Sequence, residues 1–231
     1  MATEELGTKK MIHLDIELQR LKNEINEMGL LVQHQLKKSI DALVYMDKHL
    51  AREVIFQERR VNAEELKIDR DCENIMALFN PVAIDLRLVF ASFKINGHLE
   101  RIGDNAKGIS RYVTEMEHPY DQQLLNDLNL VPMYELADSM IADNLVAFEQ
   151  SNTSEARNIF SKDVDIDEFN KNATHTISAY IRDHTDDIVP ILNLISVIRK
   201  LERIGDLNKN IAEEIIFFVE ANVLKHEKEK I

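Results

Sequence analysis

The hexamer Leu-Glu-Arg-Ile-Gly-Asp occurs twice in the chain, at residues 99–104 and again, unchanged, at 201–206. Self-similarity at a fixed offset marks a duplicated structural unit, and it restricts the possible folds more than any single motif does. The match runs past the hexamer at the same offset of 102 residues: Asp85 falls on Asp187, Lys107 on Lys209 and Ile109 on Ile211. Upstream the offset becomes 105, with Glu58 on Asp163, Val61 on Ile166 and Asn62 on Asp167. The three-residue difference predicts a shorter turn between the middle and last helix of the second copy. The chain thus reads as two copies of one unit, residues 1–117 and 118–231.

Each copy reads as helical. Apolar residues recur at three- and four-residue spacing, as in Leu14, Leu18, Leu21, Ile25, Met28 and in Ile195, Ile198, Ile204, Ile211, Ile215, Phe218. Breaks are few: a weak one at Met46-Asp47-Lys48, then Asn80-Pro81 with the proline at a first helical position, His118-Pro119-Tyr120, a capping pattern of Asn152 with Glu155, and residues 183–187. They delimit six helices of roughly 25–40 residues, and short connections between long helices make antiparallel neighbours. The expected fold is all-α: two tandem three-helix bundles, six long helices in all, related by internal duplication.

Composition agrees and removes other classes. Six glycines and four prolines in 231 residues are too few for a β-sandwich or barrel, which turns every 8–12 residues or so. A net charge of −13 lacks the basic footprint that nucleic acid or anionic lipid requires. Cys72 is the single cysteine, so no internal disulfide forms. The acidic opening Met1-Ala2-Thr3-Glu4-Glu5 is no signal peptide, and no apolar stretch approaches the roughly 20 residues of a membrane span. A cytoplasmic protein without membrane insertion is expected.

Both copies carry acids four residues apart: Glu100 with Asp104 and Glu202 with Asp206 on the last helices, Asp163 with Asp167 on the second copy's middle helix, and Glu58 with Asn62 on the first copy's. Such residues share a helix face. One such pair means little, because 41 acids in 231 positions generate about seven by chance. Register adds more. The Glu58/Asn62 pair is centred 20 residues before Asn80 and the Glu100/Asp104 pair 22 residues after it, so an antiparallel hairpin sets them level. The second copy repeats this about residues 183–187. Four oxygen-bearing side chains at one height repel unless cations bind between them or Arg and Lys fill the gap. Arg101 and Arg203 adjoin the glutamates, but neighbours in sequence point apart on a helix. An all-oxygen set suits Mg, Mn, Fe or Ca and not a structural Cys/His zinc site. Gly103 and Gly205, each before its Asp, leave room for a close backbone or for the cluster.

The run Asn80-Pro81-Val82-Ala83-Ile84-Asp85-Leu86-Arg87, the doubled hexamer, and Asn210-Ile211-Ala212-Glu213 resemble the PhoU family over nearly the whole chain. The resemblance implies a pair of three-helix bundles, often a homodimer, whose acidic motifs hold multinuclear clusters of metal, typically iron or zinc. It implies a non-enzymatic negative regulator of the phosphate-starvation response, acting between the phosphate ABC transporter's ATPase and a sensor histidine kinase. The ligands it implies are Glu58, Asn62, Glu100 and Asp104 in one half and Asp163, Asp167, Glu202 and Asp206 in the other. Asn62 stands where the family pattern often has Asp, so charge counting ranks the second half as the tighter site. The rival readings are a metalloenzyme and a metal-storage or stress scaffold built on the same carboxylates.

Overall fold

A computed structural model describes residues 2–185 and 188–224, with side chains from residue 12 onward. Asp187, paired with Asp85 by the repeat, lies outside the described residues. The helices are α1 (Ala2–Tyr45), α2 (Lys48–Phe79), α3 (Ala83–Glu115), α4 (Gln122–Asp127), α5 (Leu130–Gln150), α6 (Thr153–Tyr180) and α7 (Ile188–Glu220). Six are long, as the periodicity predicts. The additional one, α4, is a six-residue turn inside the break near Pro119, capped by the Asp121 carboxylate.

Helices α1, α2 and α3 pack on one another, and so do α5, α6 and α7. The predicted stripe on α1 is the buried one: Leu18, Leu21, Ile25 and Met28 continue through Val32, Leu36 and Ile40. On α7, Ile198, Ile204, Ile211, Ile215 and Phe218 are buried. The halves meet through α1 against α5 and α3 against α7. Both seams run antiparallel. Arg87 Nε donates to the Phe218 carbonyl at 3.1 Å and Lys94 reaches Glu214 at 3.0 Å, while Gln33 bonds to Asp138 and Lys22 to Ser151. Residue numbers rise on one helix as they fall on its partner, which is the relation a two-fold axis across the helices produces. Counting along α3 and α7 from these contacts places position 102 opposite position 204, so the two copies of the hexamer lie at one height.

Two details depart from the sequence reading. The connection from α6 to α7 spans residues 181–187, longer than the 80–82 link from α2 to α3; the offset shrinks because α6 and α7 are shorter at their facing ends, not because the turn is. Pro81 precedes α3, whose first helical residue is Ala83.

With glycine scarce, helices end on other residues in the left-handed region: Met46 (φ 52°), Asn80 (φ 51°) and Ser151 (φ 52°). Asn tolerates this conformation, whereas Ser pays the Cβ penalty. Ser151→Gly is therefore expected to stabilise the protein by about 0.5–1 kcal/mol in urea denaturation, and an unchanged or lower midpoint contradicts it.

Candidate metal centre

In the first half, Glu58 from α2 lies against Glu100 and Asp104 from α3, and one carboxylate oxygen of each falls within 4.8 Å of the other two. Two oxygens bound to one cation at 2.0–2.6 Å are separated by at most roughly 5 Å, so the triad has the dimensions of a single oxygen-liganded ion. Glu58 is buried at 3 % exposure, while Asp104 is open to solvent. Gln35 of α1 donates to Glu58 Oε2 at 2.6 Å. The Asn62 side-chain amide lies 3.2 Å from Glu58 Oε1 and donates there when its nitrogen is on that side. Lys107, one turn beyond Asp104, reaches Asp104 Oδ1 at 2.8 Å and stands 3.8 Å from Glu58 Oε1.

Burial pushes the Glu58 carboxyl up to about 7; the hydrogen bond from Gln35 opposes this and Asp104 reinforces it. Asp104 moves the other way. Its partial burial is outweighed by hydrogen bonds from Lys107 and from Glu58, which hold it below the usual range. Of the two carboxyls, Glu58 is therefore the one that holds a proton more readily. Burial and the neighbouring Asp104 charge also raise Glu100.

The second half repeats the plan with one difference. Asp163 of α6 is 5 % exposed, and Lys209 of α7 donates to its Oδ2 at 2.5 Å and to Asp206 Oδ1 at 2.8 Å. Asp163 Oδ1 is buried without a hydrogen-bond partner. Glu202 is raised by burial and by the charges of Asp206, Asp167 and Asp163, so all four acids act on one another. Among the described residues, only the first-half triad brings three carboxylates within 4.8 Å.

The repeated glycines create both clusters. A Cβ on Gly103 would sit 3.2 Å from Val61 Cγ1 and 3.5 Å from Glu58 Oε2; on Gly205 it would sit 3.0 Å from Ile166 Cδ1 and 3.5 Å from Asp163 Oδ1. Val61 and Ile166, and Glu58 and Asp163, are the repeat's own counterparts. Each glycine lets the middle helix approach the last one closely enough to set its acid beside the Glu and Asp of the hexamer.

The family model described as PhoU domain matches residues 25–113 and 130–215, one stretch in each half. The chain belongs to the PhoU family. The phosphate-specific transport system accessory protein PhoU of Edwardsiella tarda is 34 % identical over 210 residues, which cover 91 % of this chain and 86 % of that protein. The Escherichia coli protein of the same name is 33 % identical with the same coverage. The crystal structure of the phosphate transport system regulatory protein PhoU from Streptococcus pneumoniae aligns with a TM-score of 0.83 at 29 % identity, over 91 % of this chain and 98 % of that one. That of PhoU from Pseudomonas aeruginosa aligns with a TM-score of 0.83 at 31 % identity, over 90 % and 99 %.

Within this PhoU-family frame, sequence reasoning missed three groups that shape the clusters. Lys107 and Lys209, not Arg101 and Arg203, stand against the carboxylates. Their signal was present: both lie three residues past the repeated Asp at the common offset of 102. Gln35 carried no such signal. At the upstream offset of 105 its counterpart is Met140, which is buried and has no proton to donate.

Among the described residues no helix is long and apolar enough to cross a membrane.

Proposed function

We propose that this PhoU-family chain is a cytoplasmic, non-enzymatic, metal-binding regulator of phosphate uptake, built of units 1–117 and 118–231 and working as a homodimer. In this reading it restrains the phosphate-starvation response by contacting the ATPase of a phosphate ABC transporter and a sensor histidine kinase. Glu58, Asn62, Glu100 and Asp104 hold divalent or trivalent ions in one half, and Asp163, Asp167, Glu202 and Asp206 hold them in the other. The all-oxygen set suits hard or borderline ions such as Mg, Mn or Fe, and the family resemblance implies iron or zinc.

The observation that carries this reading is the convergence of three carboxylates, one of them buried, in a family whose relatives are named as accessory proteins of the phosphate-specific transport system. Such a grouping is unfavourable by itself and is relieved by a cation. The relatives' names also favour a regulator over a metalloenzyme or a storage scaffold.

The test is a deletion strain with a phosphate-responsive reporter. Deletion is expected to switch the reporter on in phosphate-replete medium. The parent gene should restore repression, and a Glu58→Ala/Glu100→Ala/Asp104→Ala gene should not. A reporter that stays off in the deletion strain sinks the regulatory reading. Separately, Glu100→Ala/Asp104→Ala protein is expected to lose the first-half metal on elemental analysis, with its circular dichroism unchanged. Full retention of metal contradicts the ligand assignment.

A further inference from the structure

We propose that Lys107 and Lys209 are tethered counter-cations that an incoming metal ion must displace, and that the stronger hold of Lys209 makes the first-half site fill before the second. This rests on the metal-binding reading and adds a loading order opposite to the one charge counting gives.

The ammonium groups already occupy the position of a cation. Lys209 bridges acids from two helices, with Asp163 at 2.5 Å and Asp206 at 2.8 Å. Lys107 makes one short contact, to Asp104 at 2.8 Å, and stands off from Glu58 at 3.8 Å. The difference follows from what else satisfies the buried acid. Glu58 takes a short hydrogen bond from Gln35, so it does not depend on the lysine alone. The position equivalent to Gln35 is Met140, which has no proton to donate, and Lys209 is the hydrogen-bond donor to Asp163. Charge-assisted bonds of this kind are the strong ones.

One carboxylate oxygen of the second half is left unsatisfied. Asp163 Oδ1 is buried and unpartnered, on the side of the carboxylate that faces Gly205. A lysine held on Oδ2 leaves that oxygen unsatisfied, whereas an ion between Asp163, Glu202 and Asp206 could engage it. Both lysine side chains are partly exposed, at 21 % and 29 %, so each can swing into water still protonated when a metal arrives. A divalent ion replaces one positive charge with two on the same carboxylates. The lysines then act as a threshold: they hold the acids together at low metal and yield at higher metal.

The experiment uses the full chain, stripped of metal, titrated with Mn²⁺ in a calorimeter. The parent is expected to show two classes of site, the tighter one lost in Glu100→Ala/Asp104→Ala. Lys209→Met should tighten the weaker class at least about tenfold, the worth of one charge-assisted bond. An unchanged weaker class in Lys209→Met, or loss of the tighter class in Glu202→Ala/Asp206→Ala instead, overturns the proposal while leaving metal binding intact. Absence of Mn²⁺ binding in the parent overturns the metal reading itself. A second measurement needs no variant: saturation with Mn²⁺ should raise acetylation of Lys209 by an amine-reactive ester several-fold, read by mass spectrometry. Unchanged labelling contradicts displacement.

Discussion

Gly205→Val is expected to destabilise the protein by about 2 kcal/mol, which for a chain of this size lowers the melting temperature by roughly 4–8 °C. The valine Cβ alone would lie 3.0 Å from Ile166 Cδ1 and 3.1 Å from Ile166 Cγ2, and its methyl groups would enter a core where Ile166 is fully buried. The helix gains a few tenths of a kcal/mol from losing a glycine, too little to offset the overpacking. Because α6 moves off α7, Asp163 also leaves Asp206, so the Lys209 bridge should weaken together with stability. Gly97 supplies the control on α3. A Cβ there meets nothing within 4 Å, so Gly97→Ala is expected to stabilise by about 0.5–1 kcal/mol. Equal stability of Gly205→Val and parent in urea denaturation would show that the glycines do not set the helix spacing.

The second large effect is a pH dependence. Glu58 titrates near 7 in the folded chain and near its ordinary 4.5 when unfolded. Between those values the folded state holds a proton that the unfolded state has released. Stability is therefore fully present below about 4.5 and declines as pH rises through 7, by roughly 2–3 kcal/mol for metal-free protein. Asp104 is lowered, so its own contribution falls at lower pH, while Glu100, Asp163 and Glu202, raised by burial, add to the decline in the same direction. Glu58→Gln should remove the largest part of the decline, because Glu58 is the carboxyl pushed furthest, to about 7. A glutamine keeps an oxygen for Gln35 and presents an N–H to Asp104, as protonated Glu58 does. The variant is expected to be about 2 kcal/mol more stable than the parent at pH 8 without metal, and to bind no first-half metal. Denaturation midpoints at pH 5, 6, 7 and 8 decide the matter: parallel profiles for the two proteins contradict the assignment.

The repeat and the helical spacing carried most of the fold, because a buried stripe leaves a period that composition cannot hide. Leu18, Leu21, Ile25 and Met28 were read from spacing and are buried in the structure. The level arrangement of Glu58 with Glu100 and Asp104 was also legible, since antiparallel packing about Asn80 fixes it. Finer geometry was not. The six residues of α4 are too few to show a period, and the link between α6 and α7 lengthens while its flanking helices shorten, which an offset alone does not resolve. Lys107 and Lys209 are paired by the repeat, and the third residue onward from an acid stands over it on a helix, unlike the adjoining Arg101 and Arg203. Gln35 donates from a third helix, and only the assembled bundle brings it to Glu58.

The proposed function requires cations between the repeated carboxylates. Anomalous diffraction from crystals grown with Mn²⁺ measures this directly. The predicted result is a strong peak among Glu58, Glu100 and Asp104, and a second among Asp163, Glu202 and Asp206 that appears at higher metal with Lys209 turned to solvent. Full Mn²⁺ occupancy elsewhere on the surface, with Lys107 and Lys209 still on their carboxylates, would contradict it.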